Sequence, residues 1–448
     1  MSSDINLTPI WGMASSYGLK TIVVNVPLSY PPIRYPRSIV ISGMHAPSIR
    51  ADFVHPRTMM PRILDSGYMI DADPLTYDRL GYARLIMQML EARINLTERL
   101  LDEEAYDLFI LVLVEPDRIQ HQFMVHTDVR STSAIKRPYD PIFSVYKRID
   151  EFIERLLRED SNLLVVSDHG FQPVKRYFHI NEWMRKNGFL EVSPKTVILS
   201  RVSKASLGNA LAQRLRSSVV RVLREKGTVD LSQSTVMRIN PSRTLAWSFS
   251  DQGLVAINRI STESDGIVAD GDVDSVAANL ENGLLKVEDP LTHERVIRNV
   301  FRGKRVYSGP RETEAPDIIV EPSFGYMFSN SMGGPLFESV TFTDSKGTVA
   351  NHELQGIILG CGPDISHSKK TNHHEYSILD VAPTALRLLN LPVPSYFDGV
   401  AIDELSSERT TQIDSTINFI DSPKGVPANL TPNDERLINE RLKSLGYL

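Results

Sequence analysis

Cysteine is nearly absent from this sequence of 448 residues, where Cys361 stands alone. A lone thiol cannot form an internal disulfide, so no disulfide framework holds the fold, and the composition suits a reducing compartment. Long apolar runs are missing too. No stretch approaches the roughly 18 consecutive apolar residues that a membrane-spanning helix needs. The amino terminus also lacks the basic start and apolar segment of a secretory signal. Net charge is small, −6, with 49 Lys and Arg against 55 Asp and Glu. Nothing in that balance makes a nucleic-acid or membrane-surface binder held by bulk charge. What remains, with 42% hydrophobic residues, is a chain able to bury a large core. It has room for two or three domains, or for one α/β core with insertions.

The stretch richest in chemistry is Leu163-Leu164-Val165-Val166-Ser167-Asp168-His169-Gly170-Phe171. Four apolar residues between polar flanks read as a central parallel strand buried on both faces. Asp168 and His169 then stand at its carboxyl end, where open α/β sheets bind ligands, and Gly170 lets the backbone turn sharply away. A carboxylate beside an imidazole suits a divalent metal. The plainer alternative is an Asp that caps the next turn beside an incidental His. A second apolar strand, 108–114, runs into Glu115-Pro116-Asp117-Arg118-Ile119-Gln120-His121. The spacing of four sets Asp117 and His121 one helical turn apart, able to reach one ion if the segment is helical. Two successive central strands that each end in Asp and His predict neighbouring strand ends in one parallel sheet. That favours the metal reading over a capping Asp with an exposed His121.

The rest of the chain gives these strands a setting. A short helix closed by Gly18 feeds the strand Thr21–Val26, and a second apolar stretch covers Ser38–Ile41. Apolar residues at helical spacing predict one long amphipathic helix over 75–101. Another helix, begun by Tyr139-Asp140-Pro141 and running to Arg158, completes a strand, helix, strand crossover. Asn181 to Gly188 reads as a short helix with a glycine stop. Residues 195–230 are basic and serine-rich and read as a helical insertion or lid. Over 244–320 short strands alternate with turns and one amphipathic helix near 273–285, which suits an antiparallel subdomain. Ala315 to Glu321 reads as a further core strand. His352 falls just before an apolar run, 356–363, expected to be a buried strand. The other histidines are weaker candidates: His373 and His374 precede a helix over 377–389, and His126 and His179 have no carboxylate at a useful spacing. The expected fold is α/β, a mostly parallel sheet sandwiched by helices, with a helical insertion and a small antiparallel subdomain. The expected division is 1–194 and 244–400 as two parts of the core, 195–243 as insertion, and 401–448 as tail.

Taken in order, Asp117 with His121, then Ser167-Asp168-His169-Gly170, then His352 ahead of Gly356-Ile357-Ile358-Leu359-Gly360-Cys361-Gly362-Pro363, resemble the alkaline phosphatase superfamily. The branch most similar is that of type I phosphodiesterases and nucleotide pyrophosphatases. Asn181-Glu182-Trp183 and the tail from Ile378 through Leu386, Leu391-Pro392-Val393-Pro394 and Asp398-Gly399 resemble it too. The resemblance implies two divalent ions, commonly zinc, at the carboxyl edge of the sheet. Asp117, His121 and His352 would hold one, and Asp168 and His169 would supply part of the shell of the other. Two such ions would clamp the attacking and leaving oxygens of an in-line displacement at phosphorus in a small phosphate ester or nucleotide.

The resemblance also implies an aspartate ligand and a threonine or serine nucleophile in a segment upstream of the part that matches here, and neither has a counterpart in this chain. Gln120 replaces a common glycine and Asn351 a common threonine, both without changing the ligand spacing. The expectation is therefore a metal-dependent phosphoric-ester hydrolase whose second site is incomplete and whose turnover is impaired. A truncated noncatalytic metal-binding relative is the alternative, as is a sulfatase or phosphomutase of the same superfamily. A sheet lacking its first strand would be completed by an upstream segment or by oligomerisation. The expected location is cytoplasmic, unless a signal peptide lies upstream.

Overall fold

The structure is a computed structural model describing residues 1–2, 5, 7–50, 52–74, 77–125, 140–157, 160–192, 239–309, 311–340, 348–365, 375–405 and 430–444. Residues 1–173 and 342–445 contribute to one compact unit and residues 174–341 to a second. In the first unit, helix α1 (Ile10–Ser16) leads through Gly18, at φ +82°, into strand β1 (Thr21–Val26). A positive φ is what glycine adopts without steric cost, and it stops the helix here. Strand β2 (Ser38–Ser42) pairs in parallel with β1, and β3 (Val54–His55) lies antiparallel on β2. Helices α2 (Met60–Asp65) and α3 (Arg79–Glu103) follow, α3 being capped by Asp78, whose carboxylate accepts from the Gly81 amide at 2.6 Å. Strand β4 (Leu108–Leu111) is parallel to β1 and closes the order β3-β2-β1-β4. Helix α4 (Glu115–Phe123) leaves its carboxyl end, and α5 (Pro141–Leu156) begins on Asp140, whose side chain accepts from the amides of Ile142 and Phe143. Ile86 and Leu90 of α3, Ile119 of α4 and Val145 and Phe152 of α5 bury together. A separate cluster joins Ile22, Val24 and Ile41 of the sheet to Leu96 and Leu100 of α3. Strands β5 (Leu163–Val166) and β6 (Gly170–Pro173) end this first part.

The second unit opens with β7 (Arg176–His179) and α6 (Ile180–Lys186). Then come β8 (Ala246–Ser248), β9 (Leu254–Ile257), α7 (Val273–Leu284), β10 (Ile297–Arg302), α8 (Gly303–Val306), β11 (Ile318–Pro322), β12 (Tyr326–Ser329) and β13 (Phe337–Ser339). An antiparallel sheet has the order β10-β11-β9-β8, as the turn-rich sequence over 244–320 predicts. The strand read at 315–321 belongs to this antiparallel sheet, as β11, and not to the parallel core. β7 stands between β12 and β13 in a second sheet. Asn181 exchanges two hydrogen bonds of 2.8 Å with the backbone of Ser248, and Glu182 accepts from the Gly333 amide at 2.8 Å. The Asn181-Glu182-Trp183 signature thus ties α6 to β8 and to the loop around Gly333, between β12 and β13. The insertion read over 195–230 lies outside the described residues.

The chain returns to the first unit with β14 (Ala350–Glu353), antiparallel to β6, and β15 (Ile358–Cys361), antiparallel to β5. Helix α9 (Val381–Leu388) follows, and α10 (Pro432–Ser444) is tied to the body by a 3.1 Å ion pair between Arg50 and Asp434. Two expectations fail here. β4 and β5 are not paired neighbours in one parallel sheet; among the described residues β4 bonds to β1 alone and β5 to β15 alone. With one neighbour each instead of two, every residue of both strands stays partly accessible. β15 is likewise far from buried, since Leu359 is 59% exposed. An unbroken apolar run records what the side chains prefer, and it does not record which strands stand on either side. No helix among the described residues is long and apolar enough to cross a membrane.

Candidate metal centre

The centre is built where α4 leaves β4. Pro116 in the first turn starts the helix, and Glu115 and Asp117 place carboxylates at its positive end. The helical spacing brings Asp117 Oδ2 to 3.1 Å from His121 Nε2. The third member comes from β14. His352 Nε2 lies 3.1 Å from His121 Nε2 and 3.6 Å from Asp117 Oδ2. Strand β14 also orients its neighbour, because the Ala350 carbonyl accepts from His121 Nδ1 at 2.8 Å. A carbonyl only accepts, so the proton of neutral His121 sits on Nδ1 and Nε2 presents a lone pair to the cluster. Phe171 of β6, opposite His352 in the ladder, sets its ring edge-on to both imidazoles, at 4.8 Å from His121 and 5.3 Å from His352.

This arrangement fits a cation. Asp117 Oδ2 is buried without a hydrogen-bond donor, and it faces two imidazole nitrogens. The three ligand atoms lie within 4.8 Å of one another. A carboxylate oxygen and two imidazole nitrogens brought this close are a common donor set for a divalent ion. Electrostatics agree. Burial alone would raise the Asp117 carboxyl, but the Arg118 guanidinium opposes it, and the group is held well below the usual carboxylate range. Burial lowers the His352 imidazole, with His121 and His169 adding to the effect and Asp117 opposing it, so the ring is kept neutral and available as a donor.

Asp168 and His169 are placed differently. The His169 ring stacks on that of His352 with centroids 3.9 Å apart, and its Nδ1 lies 3.0 Å from the Gly170 carbonyl. Asp168 has a side chain 78% exposed and 3.6 Å from His169 Nε2. Among the described residues, these two form no group of three or more metal-capable side chains. Gly170, expected to turn the chain away, instead opens β6. A Cβ there would stand 2.0 Å from the Gln355 carbonyl oxygen, so the glycine allows a close backbone approach. His179 is buried on β7 with the Glu338 carboxylate 3.5 Å away, while His126, His373 and His374 lie outside the described residues. Spacing alone did not reveal a role for Arg118, although its position directly after a ligand-type aspartate on a packed helix turn was a usable signal.

An α/β unit that collects Asp and His at the carboxyl edge of its strands has the architecture of the alkaline phosphatase superfamily. Within it, the chain belongs to the type I phosphodiesterase / nucleotide pyrophosphatase family, which it matches over residues 2–353. These are hydrolases of phosphoric esters. Among solved structures, phosphonoacetate hydrolase from Sinorhizobium meliloti 1021, in complex with phosphonoformate, is similar at 11% identity and a TM-score of 0.42. That similarity covers 80% of this chain and 69% of that one. Murine ectonucleotide pyrophosphatase / phosphodiesterase 5 is similar at 13% identity and a TM-score of 0.36, covering 86% of this chain and 72% of that one. No curated protein sequence matches the chain.

Proposed function

We propose that this protein is a metal-dependent hydrolase of small phosphoric esters, phosphodiesters or nucleotides, acting in the cytoplasm. Asp117, His121 and His352 hold one divalent ion, and zinc suits their mixed nitrogen and oxygen donors. Asp168 and His169 serve as part of the shell of a second ion. Ions bound there supply Lewis acidity toward a phosphoryl oxygen and toward the attacking and leaving groups. The chain's own contribution is to fix the donors. Ala350 sets the tautomer of His121, Phe171 packs against both rings, and Arg118 leaves a single oxygen of Asp117 facing the cluster. The observation that carries the reading is the convergence of Asp117 Oδ2, which has no hydrogen-bond partner, and two histidine Nε2 atoms within 4.8 Å of one another.

A second reading, a relative that binds one ion without turnover, is favoured by the exposure of Asp168. Zinc titration by calorimetry, together with hydrolysis of bis-p-nitrophenyl phosphate before and after chelation, separates the two. Chelator-sensitive hydrolysis that is lost in His352→Gln supports the hydrolase. Stoichiometric zinc binding without hydrolysis supports the second reading, and absence of zinc binding refutes both.

A further inference from the structure

Arg118 is 2% exposed and has little choice of partners. Its Nε and Nη2 donate to the two oxygens of Asp71 at 2.9 and 3.0 Å, a bidentate pairing, and Nη1 donates to Asp117 Oδ1 at 2.7 Å. Nη2 also lies 3.7 Å from Met44 Sδ. The Asp71 side chain is 1% exposed. One buried guanidinium therefore lies between two carboxylates. One of them, Asp117, turns its other oxygen toward His121 and His352.

We propose that Asp71 is a positioning residue for the metal centre: by neutralising Arg118, it lets the guanidinium aim Asp117 without competing with the ion for that carboxylate. The inference rests on the reading of Asp117 as a ligand. Arginine keeps its charge in any protein environment, so its electrostatic effect depends on what pairs with it. With Asp71 present, Arg118 and Asp71 form a neutral fork that offers one hydrogen bond to Asp117 Oδ1, and the full charge of Asp117 remains for the cluster. Without Asp71, Asp117 becomes the guanidinium's sole counterion, and an arriving cation meets a carboxylate already neutralised. Outer-shell groups of this kind typically change metal affinity by about 10–100-fold when removed.

The test is zinc titration by calorimetry of the parent, Asp71→Asn, Arg118→Gln and the double variant Asp71→Asn with Arg118→Gln, each checked for folding by circular dichroism. Asp71→Asn, nearly isosteric, is expected to bind zinc about 10–100-fold more weakly. The double variant removes the stranded charge yet keeps an amide donor toward Asp117, and it is expected to recover to within about tenfold of the parent, an interaction only a mutant cycle reads. A merely structural role for Asp71 makes the double variant at least as weak as the single one, and that result overturns the inference. So does Asp71→Asn binding zinc as tightly as the parent. If Asp71→Asn does not fold, the double variant decides alone: affinity within about tenfold of the parent supports a neutral pair, and a larger loss overturns it. Failure of the parent to bind zinc overturns the ligand reading itself, an outcome distinct from the others.

Discussion

Replacing Glu115 by Gln should cost this protein more stability than any single change at its surface. Glu115 and Arg93 form an ion pair with both side chains fully buried, linking the first turn of α4 to the middle of α3. Arg93 Nη2 also donates to the Met69 and Ile70 carbonyls at 3.0 and 3.3 Å, and its guanidinium stands 5.3 Å from the centre of the Tyr68 ring. Glutamine matches the shape of glutamate but strands a guanidinium that cannot shed its proton. Breaking one side of such a pair costs about 3–5 kcal/mol. Against a total stability of about 5–15 kcal/mol for a domain, that is a large share. For a unit of this size it should lower the melting temperature by roughly 6–20 °C. Arg93→Met leaves a carboxylate instead, which burial already pushes above its usual range and which can protonate. Its loss should therefore shrink as the pH falls toward 5, while that of Glu115→Gln should not. The double variant Arg93→Met with Glu115→Leu removes both charges and should recover most of the loss. Calorimetric melts of the four proteins at pH 7 and pH 5 read all of this. A loss below about 1 kcal/mol for Glu115→Gln would refute the reasoning, because it would mean that water reaches and solvates Arg93.

Three further outcomes are expected. With metal removed, the protein should lose stability as pH falls below about 6.5, the unfolded histidine value, since His352 is held neutral by the fold while the unfolded chain takes up a proton; the Asp117 contribution is full above about pH 4 and is lost only below it. Melting across pH 5–8 for the parent and for His352→Gln checks this, and an equal slope in both would exclude His352 as the source. Gly170→Ala should destabilise by about 1–3 kcal/mol and weaken zinc binding, because the added Cβ, on the strand paired with β14, meets the Gln355 carbonyl just beyond β14; denaturant melts and zinc titration read both effects. Asp140→Ala, which removes the acceptor for two amides at the start of α5, should cost about 1 kcal/mol and leave zinc affinity unchanged, as the same two measurements would show.

Much of this arrangement was legible in the sequence, because it rests on short-range rules. The spacing of Asp117 and His121 forecast a helical pair, Asp140-Pro141 forecast the start of α5, and the turn-rich stretch after Thr244 forecast antiparallel pairing. Long-range partners were not legible. Nothing in Leu108–Leu111 or Leu163–Val166 says that each lacks a second neighbour among the described residues, since apolar side chains look alike at the edge and the centre of a sheet. Asp71 precedes Arg118 by 47 residues in a stretch without periodicity, so only folding reveals the pair. The supporting role of Ala350 is carried by a carbonyl, which every residue possesses and no side chain advertises.

The joint ladder of β6 and β14 has a consequence in time. His121 and His352 are 231 positions apart in the chain, and the first unit is interrupted by the whole of the second. At about 5–20 residues per second, a ribosome needs roughly 12–46 s to pass from one histidine to the other. During that interval Asp117 and His121 have been synthesised, but neither the Ala350 carbonyl that fixes the imidazole nor His352 has been made. Closing so long a loop is entropically slow but adds only logarithmically to its cost, so the delay lies in synthesis more than in the search. On the proposed assignment of Asp117, His121 and His352, the full donor set therefore exists only after the intervening residues have been synthesised.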